Sequence, residues 1–288
     1  MDLETLRLIV RRTENLPVFP SVAQEVLRIA ELPTVSSGQV EHLICHDAGL
    51  MAKILKVASS PMYGVKDGMS VERAVSFLGT TQVRKLVLQV SLQQMVRGGT
   101  YDVEEQAWIT ETWRHCMAVA IIARAISDTR DRGRQDDYFT AGMLHDLGMI
   151  FLYRTLRDRY NSSLGHARTC GVNNYRAEFD LLGFTHADIG WLMVQTYGLN
   201  SRIEESVRYH HDPGASSDHY LSACILHVAD VLAHRAGFEN HQDHVEHEIV
   251  SYAKDEIALS DEETAAIVDL AKKEVSEMES SLENLHAA

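Results

Sequence analysis

The sequence predicts an all-α protein, and three observations carry that expectation. Apolar residues recur at helical spacing, as in Val22, Val26 and Ile29, or Leu50, Ile54 and Val57. Residues able to cap a helix stand just before such runs. The 288 residues contain only five prolines and no sustained run of alternating β-branched side chains.

Taken in order, Ser21 opens "SVAQEVLRIAEL", with Gln24 as its capping-box partner. Asp47 is placed to cap "AGLMAKILKVASS", and Pro61 and Gly64 then break the pattern. Ser70 begins "SVERAVSFLG" and Thr81 begins "TQVRKLVLQVSLQQMV". With Gly79 at the turn and Arg84 and Lys85 beyond it, this pair could pass for a helix-turn-helix. The apolar side of the second helix, Val83, Leu86, Val87 and Val90, favours two packed helices instead.

A polar bridge, "RGGTYDVEEQ", leads into a long helix through "ETWRHCMAVAIIARAIS". After the solvated loop "SDTRDRGRQDD" comes a helix bearing "AGMLHDLGMI". Residues 155–180 read as an irregular, partly helical connection. Thr185 caps "HADIGWLMVQTYG", Ser201 caps "RIEESVRYHH", and "HYLSACILHVADVLAHRAG" stops at Gly237. Beyond that point the chain turns polar, and Ser260 with Glu263 boxes the start of an acidic closing helix. Ile267, Leu270, Met278 and Leu282 give this helix an apolar side.

Composition narrows the function classes. The net charge is −14, spread unevenly. Residues 1–100 hold 11 Lys/Arg against 9 Asp/Glu, or +2, leaving 16 against 32, or −16, for the rest. Such acidity disfavours broad binding to a nucleic-acid backbone. No apolar stretch approaches the roughly 20 residues of a membrane span. The N-terminus lacks a signal-peptide core, and Cys45, Cys116, Cys170 and Cys224 form no C-x-x-C pair. A reducing, cytoplasmic setting is the expectation.

Histidines and carboxylates supply the chemistry. Glu111 and His115 are one helical turn apart, and His115 shares the stripe of Val119, Ile122 and Ile126. His145 and Asp146 sit between Met143 and Ile150, and His186 opens the next capped helix. His210 and His211 close a helix on the side of Ile203 and Val207, and Asp230 falls on the side of Ala223, Leu226 and Ala233. Each alone fits an ordinary core or surface residue. Together, five imidazoles and three carboxylates on inward faces need a compensating charge, because isolated buried ions are prohibitive. Neutral imidazole and carboxylate are ligands for Fe, Mn, Zn and Ni, and the lack of thiolates argues against a structural zinc knot. His241, His244 and His247 in "NHQDHVEH" have polar neighbours on all sides and read as a solvated segment.

The order H…HD…H…HH…D resembles the HD superfamily, in the branch holding HD-GYP phosphodiesterases and HDOD (HD-related output) domains. "LPVFPSVAQEVLRIAELP", "ICHDAGLMAKILKVASSPMYG" and "SVERAVSFLGTTQVRKLVLQ" resemble the HDOD pattern, which "WRHCMAVAIIARAI", "AGMLHDLGMI", "FTHADIGWLMVQTYGL" and "RYHHDP" continue over about residues 16–237. The resemblance implies an HD-type helical core with an added N-terminal helical subdomain. An HDOD domain would occupy 1–238, divided near residue 100, with 239–288 an acidic helical extension. By resemblance the metal ligands fall on His115, His145, Asp146, His186, His210, His211 and Asp230, with Glu111 where some relatives recruit a third ion. A pair of divalent transition ions is implied, iron or manganese before zinc or nickel.

Two departures bear on activity. Active relatives carry a glycine and a lysine after His-Asp, whereas this chain reads Leu147, Gly148, Met149. "HHDPGASSDHY" stands where the Gly-Tyr-Pro segment would follow the double histidine. Arg114 and Arg208 flank proposed ligands but read as surface residues. Two functions stay open: a bacterial signal-transduction output domain acting through protein partners, and a metal-dependent phosphohydrolase acting on a nucleotide or cyclic dinucleotide. Oxygen chemistry at a di-iron site is a distant third.

Overall fold

A computed structural model describes residues 3–12, 21–29, 35–47, 50–52, 54–55, 70–97, 103–239 and 247–283. Every regular element among them is helical, as the sequence led us to expect. No helix among the described residues is long and apolar enough to cross a membrane. The chain divides into two compact units, one of residues 1–17 and 101–272, the other of 18–100 and 273–288.

In the second unit, helices Ser21–Ile29, Ser37–Ile44 and Val71–Arg97 pack on one another. Val26, Leu27, Val40, Ile44, Val83, Leu86 and Val87 are buried. Ser36 and Gln39 form a capping box that the sequence reading passed over. The expected caps hold at Asp47, whose carboxylate accepts from the Leu50 amide at 2.9 Å, and at Ser70, whose hydroxyl accepts from the Arg73 amide at 3.3 Å. Helix Val71–Arg97 kinks at Gly79, where φ is +77°, a conformation that favours glycine. Arg84, on the second half of that helix, is buried.

The first unit holds the histidines. Helix Val103–Arg130 packs on Gln135–Leu144 and Tyr220–Arg235, and His186–Thr196 packs on Leu147–Thr155 and Ser201–Tyr209. Two glycines set how closely these helices meet. A Cβ on Gly142 would lie 2.5 Å from the Cα of Ala120, and one on Gly148 would lie 2.0 Å from the carbonyl oxygen of His186. Both flank His145–Asp146, so the glycines bring His115 and His186 within reach of that pair.

Three local expectations are corrected. Residues 155–180 hold two defined helices, Arg157–Cys170 and Asn174–Leu182. The first buries Tyr160, Leu164 and Ala167 at helical spacing beneath a polar exterior, and the second is capped by the Asn173 side chain. The cap of helix Ser201–Tyr209 is Asn200, whose carbonyl accepts from the Ile203 amide at 3.1 Å, one residue before the expected Ser201. In the closing helix Asp261–Glu283 the buried stripe is Ala271, Val275 and Met278, while Leu270 is exposed. Its start is boxed by Ser260 and Glu263 as expected. Glu263 also forms a two-pronged pair with Arg130 at 2.8 and 2.9 Å.

Candidate metal centre

His115 projects from the middle of helix Val103–Arg130, and Asp230 from helix Tyr220–Arg235 packed against it. His145 and Asp146 occupy the break between helices Gln135–Leu144 and Leu147–Thr155. His186 opens its helix behind the Thr185–Asp188 capping box, and His210 and His211 follow the end of helix Ser201–Tyr209. These seven residues come together, all buried except His211, which is half-buried. Two groups share Asp146: His115 and His145 on one side, and His186, His210 and His211 on the other. Within each group the nitrogen and oxygen atoms lie within 4.8 Å of one another. Glu111 stands half-buried one turn before His115 and is not among the converging donors.

Four imidazoles are set in one tautomer. The Nδ1 of His115 donates to the Phe238 carbonyl at 2.7 Å, that of His145 to Gly142 at 2.8 Å, and that of His210 to Val207 at 2.7 Å. The Nδ1 of His186 donates to the Glu178 carboxylate at 2.8 Å. A carbonyl or carboxylate oxygen requires a donor, so Nε2 is the nitrogen left to ligate in each ring. Those Nε2 atoms face the carboxylates. His145 and His115 stand 3.3 and 3.7 Å from Asp146 Oδ2, and His186 and His210 stand 3.5 and 3.8 Å from Asp146 Oδ1. His115 Nε2 is also 3.0 Å from Asp230 Oδ1. The His210 Nε2 is buried and makes no hydrogen bond among the described residues.

The centre sets buried carboxylates against buried imidazoles. Burial works against charge on Asp146 and Asp230, yet the surrounding imidazoles hold both carboxyls well below the usual range. Burial likewise opposes charge on His145, but Asp146 outweighs it and holds that ring well above its ordinary value. His186 is opposed by burial and lifted to about 9 by Glu178. His210 is pushed down to about 3 by burial and by His145 and His186, and His211 falls well below its ordinary value by burial and its neighbours His210 and His186. A field that favours protons on His145 and His186 also favours a metal cation there. Buried carboxylates, inward-facing Nε2 atoms and an orphaned His210 nitrogen fit a divalent ion.

Four participants escaped the sequence reading. Glu178, fully buried, accepts from both the His186 amide at 2.6 Å and its Nδ1, and it lies in the segment read as irregular. His234, one turn after Asp230, has Nε2 3.5 Å from Asp230 Oδ1, and that i, i+4 spacing was the legible signal. His227 donates to the His210 carbonyl at 2.7 Å and accepts from the Val250 amide at 3.1 Å. His247 corrects the solvated reading, since its ring stacks on His234 at 3.9 Å and 4° between planes. His241 and His244 lie outside the described residues. A cavity of about 10 Å³ reaches the centre, lined by Asp146, Met149, Asn174, His186, His211, Asp230, His234 and His247.

The HDOD domain model matches residues 16–213. The chain belongs to the HDOD family. The matched span takes in His115, His145, Asp146, His186, His210 and His211, and Asp230 lies beyond it. An uncharacterized protein of Treponema pallidum (strain Nichols) is 23% identical over 213 residues, 74% of this chain. The match spans only 40% of that relative's length. An HDOD domain protein from Geobacter sulfurreducens matches with TM-score 0.66 and 22% identity over 100% of this chain and 98% of its own. A candidate phosphohydrolase from Shewanella amazonensis SB2B matches with TM-score 0.70 and 21% identity over 96% of each chain. A candidate signal transduction protein from Marinobacter aquaeolei VT8 gives TM-score 0.73 and 20% identity over 96% of this chain and 64% of its own. At these identities the likeness establishes the fold.

Proposed function

We propose that this HDOD domain is a signal-transduction output module whose HD-type centre holds divalent metal and which works mainly by binding protein partners. His115, His145, Asp146 and Asp230 would hold one ion, and His186, His210 and His211 a second, with Asp146 between them. Iron or manganese suits this mixed imidazole and carboxylate set best, with zinc and nickel as alternatives. Such ions polarise phosphoryl oxygens and lower the pKa of bound water.

One observation carries the regulatory reading over the hydrolytic one. The cavity at the centre has room for about one water molecule. Met149 lines it where active relatives have lysine, and no Lys or Arg side chain lines it among the described residues. A positioned Lys or Arg beside the ions would add to the stabilisation of a transferring phosphoryl group. Arg208 does not supply it, because its guanidinium lies 3.8 Å over the Trp191 ring and 3.5 Å from Asp188. The structures described as a signal transduction protein and as a phosphohydrolase share the fold, so the fold leaves both activities open.

The second reading, a phosphohydrolase acting on a nucleotide or cyclic dinucleotide, is favoured by the full donor set and the orphaned His210 nitrogen. The test is metal content by inductively coupled plasma mass spectrometry, on protein purified without chelator, followed by turnover of bis(p-nitrophenyl) phosphate with iron or manganese. Bound metal without turnover supports the output module. Turnover abolished by Asp146→Asn establishes the hydrolase, and absence of metal after reconstitution removes both metal readings.

A further inference from the structure

His234 has no part in the ligand order H…HD…H…HH…D, yet it sits at the centre. One turn along the helix from Asp230, it is nearly buried, with 9% of its side chain exposed. Its Nε2 is 3.5 Å from Asp230 Oδ1, and its ring centroid is 4.5 Å from that of His115. His115, Asp230 and His234 each offer a donor atom within 4.8 Å of the others. Adjacent donors around a first-row ion bound at about 2.1 Å stand about 3 Å apart. The 3.0 Å and 3.5 Å separations from Asp230 Oδ1 are close to that spacing.

The His234 ring has a second aromatic neighbour. His247 stacks on it in parallel, and the backbone around His247 is itself fastened: the Arg235 guanidinium donates to the His247 carbonyl at 3.2 Å. Three residues on, the Val250 amide donates to His227 Nε2, and His227 Nδ1 donates to the His210 carbonyl. The segment 247–250 therefore touches the centre through two histidines, one packed on His234 and one bonded behind His210. It leads directly into helix Ser251–Ile257, which packs on the helix bearing Asp230 and His234.

We propose that His234 is a further metal ligand, closing the ion held by His115 and Asp230, and that His247 is a positioning residue that seats it by stacking. The ion's occupancy is then coupled to the seating of segment 247–250, so the C-terminal extension senses the state of the centre. This rests on the metal-binding reading above and adds to it a ligand and a route out of the site.

The experiment titrates Mn(II) into the metal-stripped full chain, reading affinity by calorimetry and amide exchange at residues 248–250 by mass spectrometry. For wild type, Mn(II) binds and slows exchange there. His234→Phe keeps an aromatic ring for the stack but removes the donor. It is expected to bind at least about tenfold more weakly, the lower bound for losing even an outer-shell partner, and to lose the protection of 248–250. His247→Phe keeps the stack without a nitrogen and should weaken Mn(II) binding less than His234→Phe does. Wild-type affinity and protection in His234→Phe would overturn the proposal, as would equal weakening by His247→Phe. No Mn(II) bound by the wild type would overturn the metal reading and this inference together, whereas metal binding indifferent to His234 overturns the inference alone. Should His234→Phe not fold, His234→Cys with Cd(II) decides: thiolate-to-metal absorbance beyond that of wild type supports ligation, and its absence refutes it.

Discussion

Replacing Gly148 by alanine adds one methyl group at the most crowded backbone contact of the centre. The new Cβ would lie 2.0 Å from the His186 carbonyl oxygen and 2.8 Å from its carbonyl carbon. Ordinary contact begins near 3.4 Å, so helices Leu147–Thr155 and His186–Thr196 must part by more than 1 Å, and neither obstacle is a flexible side chain. Overpacking of this kind costs about 1–3 kcal/mol and occasionally more; a backbone obstacle belongs at the upper end. At about 2–4 °C per kcal/mol for a domain of this size, 3 kcal/mol lowers Tm by about 6–12 °C. The same shift carries His186 Nε2 away from Asp146 Oδ1, now 3.5 Å distant, so metal affinity falls with stability. Gly165→Ala is the matched control. Gly165 is exposed in helix Arg157–Cys170 with nothing near its Cβ position. Alanine there should stabilise by about 0.5–1 kcal/mol. Thermal melts of both variants in chelator, followed by circular dichroism, make the comparison. A Gly148→Ala protein melting within about 1 °C of wild type would refute the close-approach argument.

Other expectations follow from single contacts. Glu178→Gln leaves the amide bond to His186 possible but removes the charge behind its ring; metal affinity should fall about 10–100-fold, and the His186 pKa should drop from about 9, read from its ring-proton shifts in metal-free protein. Asp146→Asn removes the carboxylate shared by both donor groups, so bound metal should fall at both positions, measured by mass spectrometry. Glu263 has its carboxyl depressed to about 2, chiefly by the Arg130 hydrogen bonds. The stability this pair contributes is present above the unfolded value near 4.5 and is lost as pH falls through about 2. Glu263→Gln should therefore flatten the stability profile between about pH 4.5 and 2, in urea melts taken across that range; an unchanged profile would show that the pair contributes nothing there.

The sequence by itself determined the helical class, most of the caps and the seven histidines and carboxylates that converge. Local rules suffice for these, because helical periodicity and capping are properties of neighbouring residues, and the family's motif order is written along the chain. It also displayed Met149, which lines the cavity at the centre. Tertiary structure alone decided the tautomers, since Phe238 and Glu178, which orient His115 and His186, are separated from them by 123 and 8 residues. It recruited His247, whose sequence neighbourhood reads as a polar tail, and showed that His234, legible only as one turn from Asp230, reaches the centre. Gly142 and Gly148 were visible as letters, but only the packed helices show that a Cβ at either position would meet backbone. Periodicity reports which face of a helix turns inward. Which residues meet on that inner side depends on how closely the helices approach, and at this centre that distance is set by two missing methyl groups.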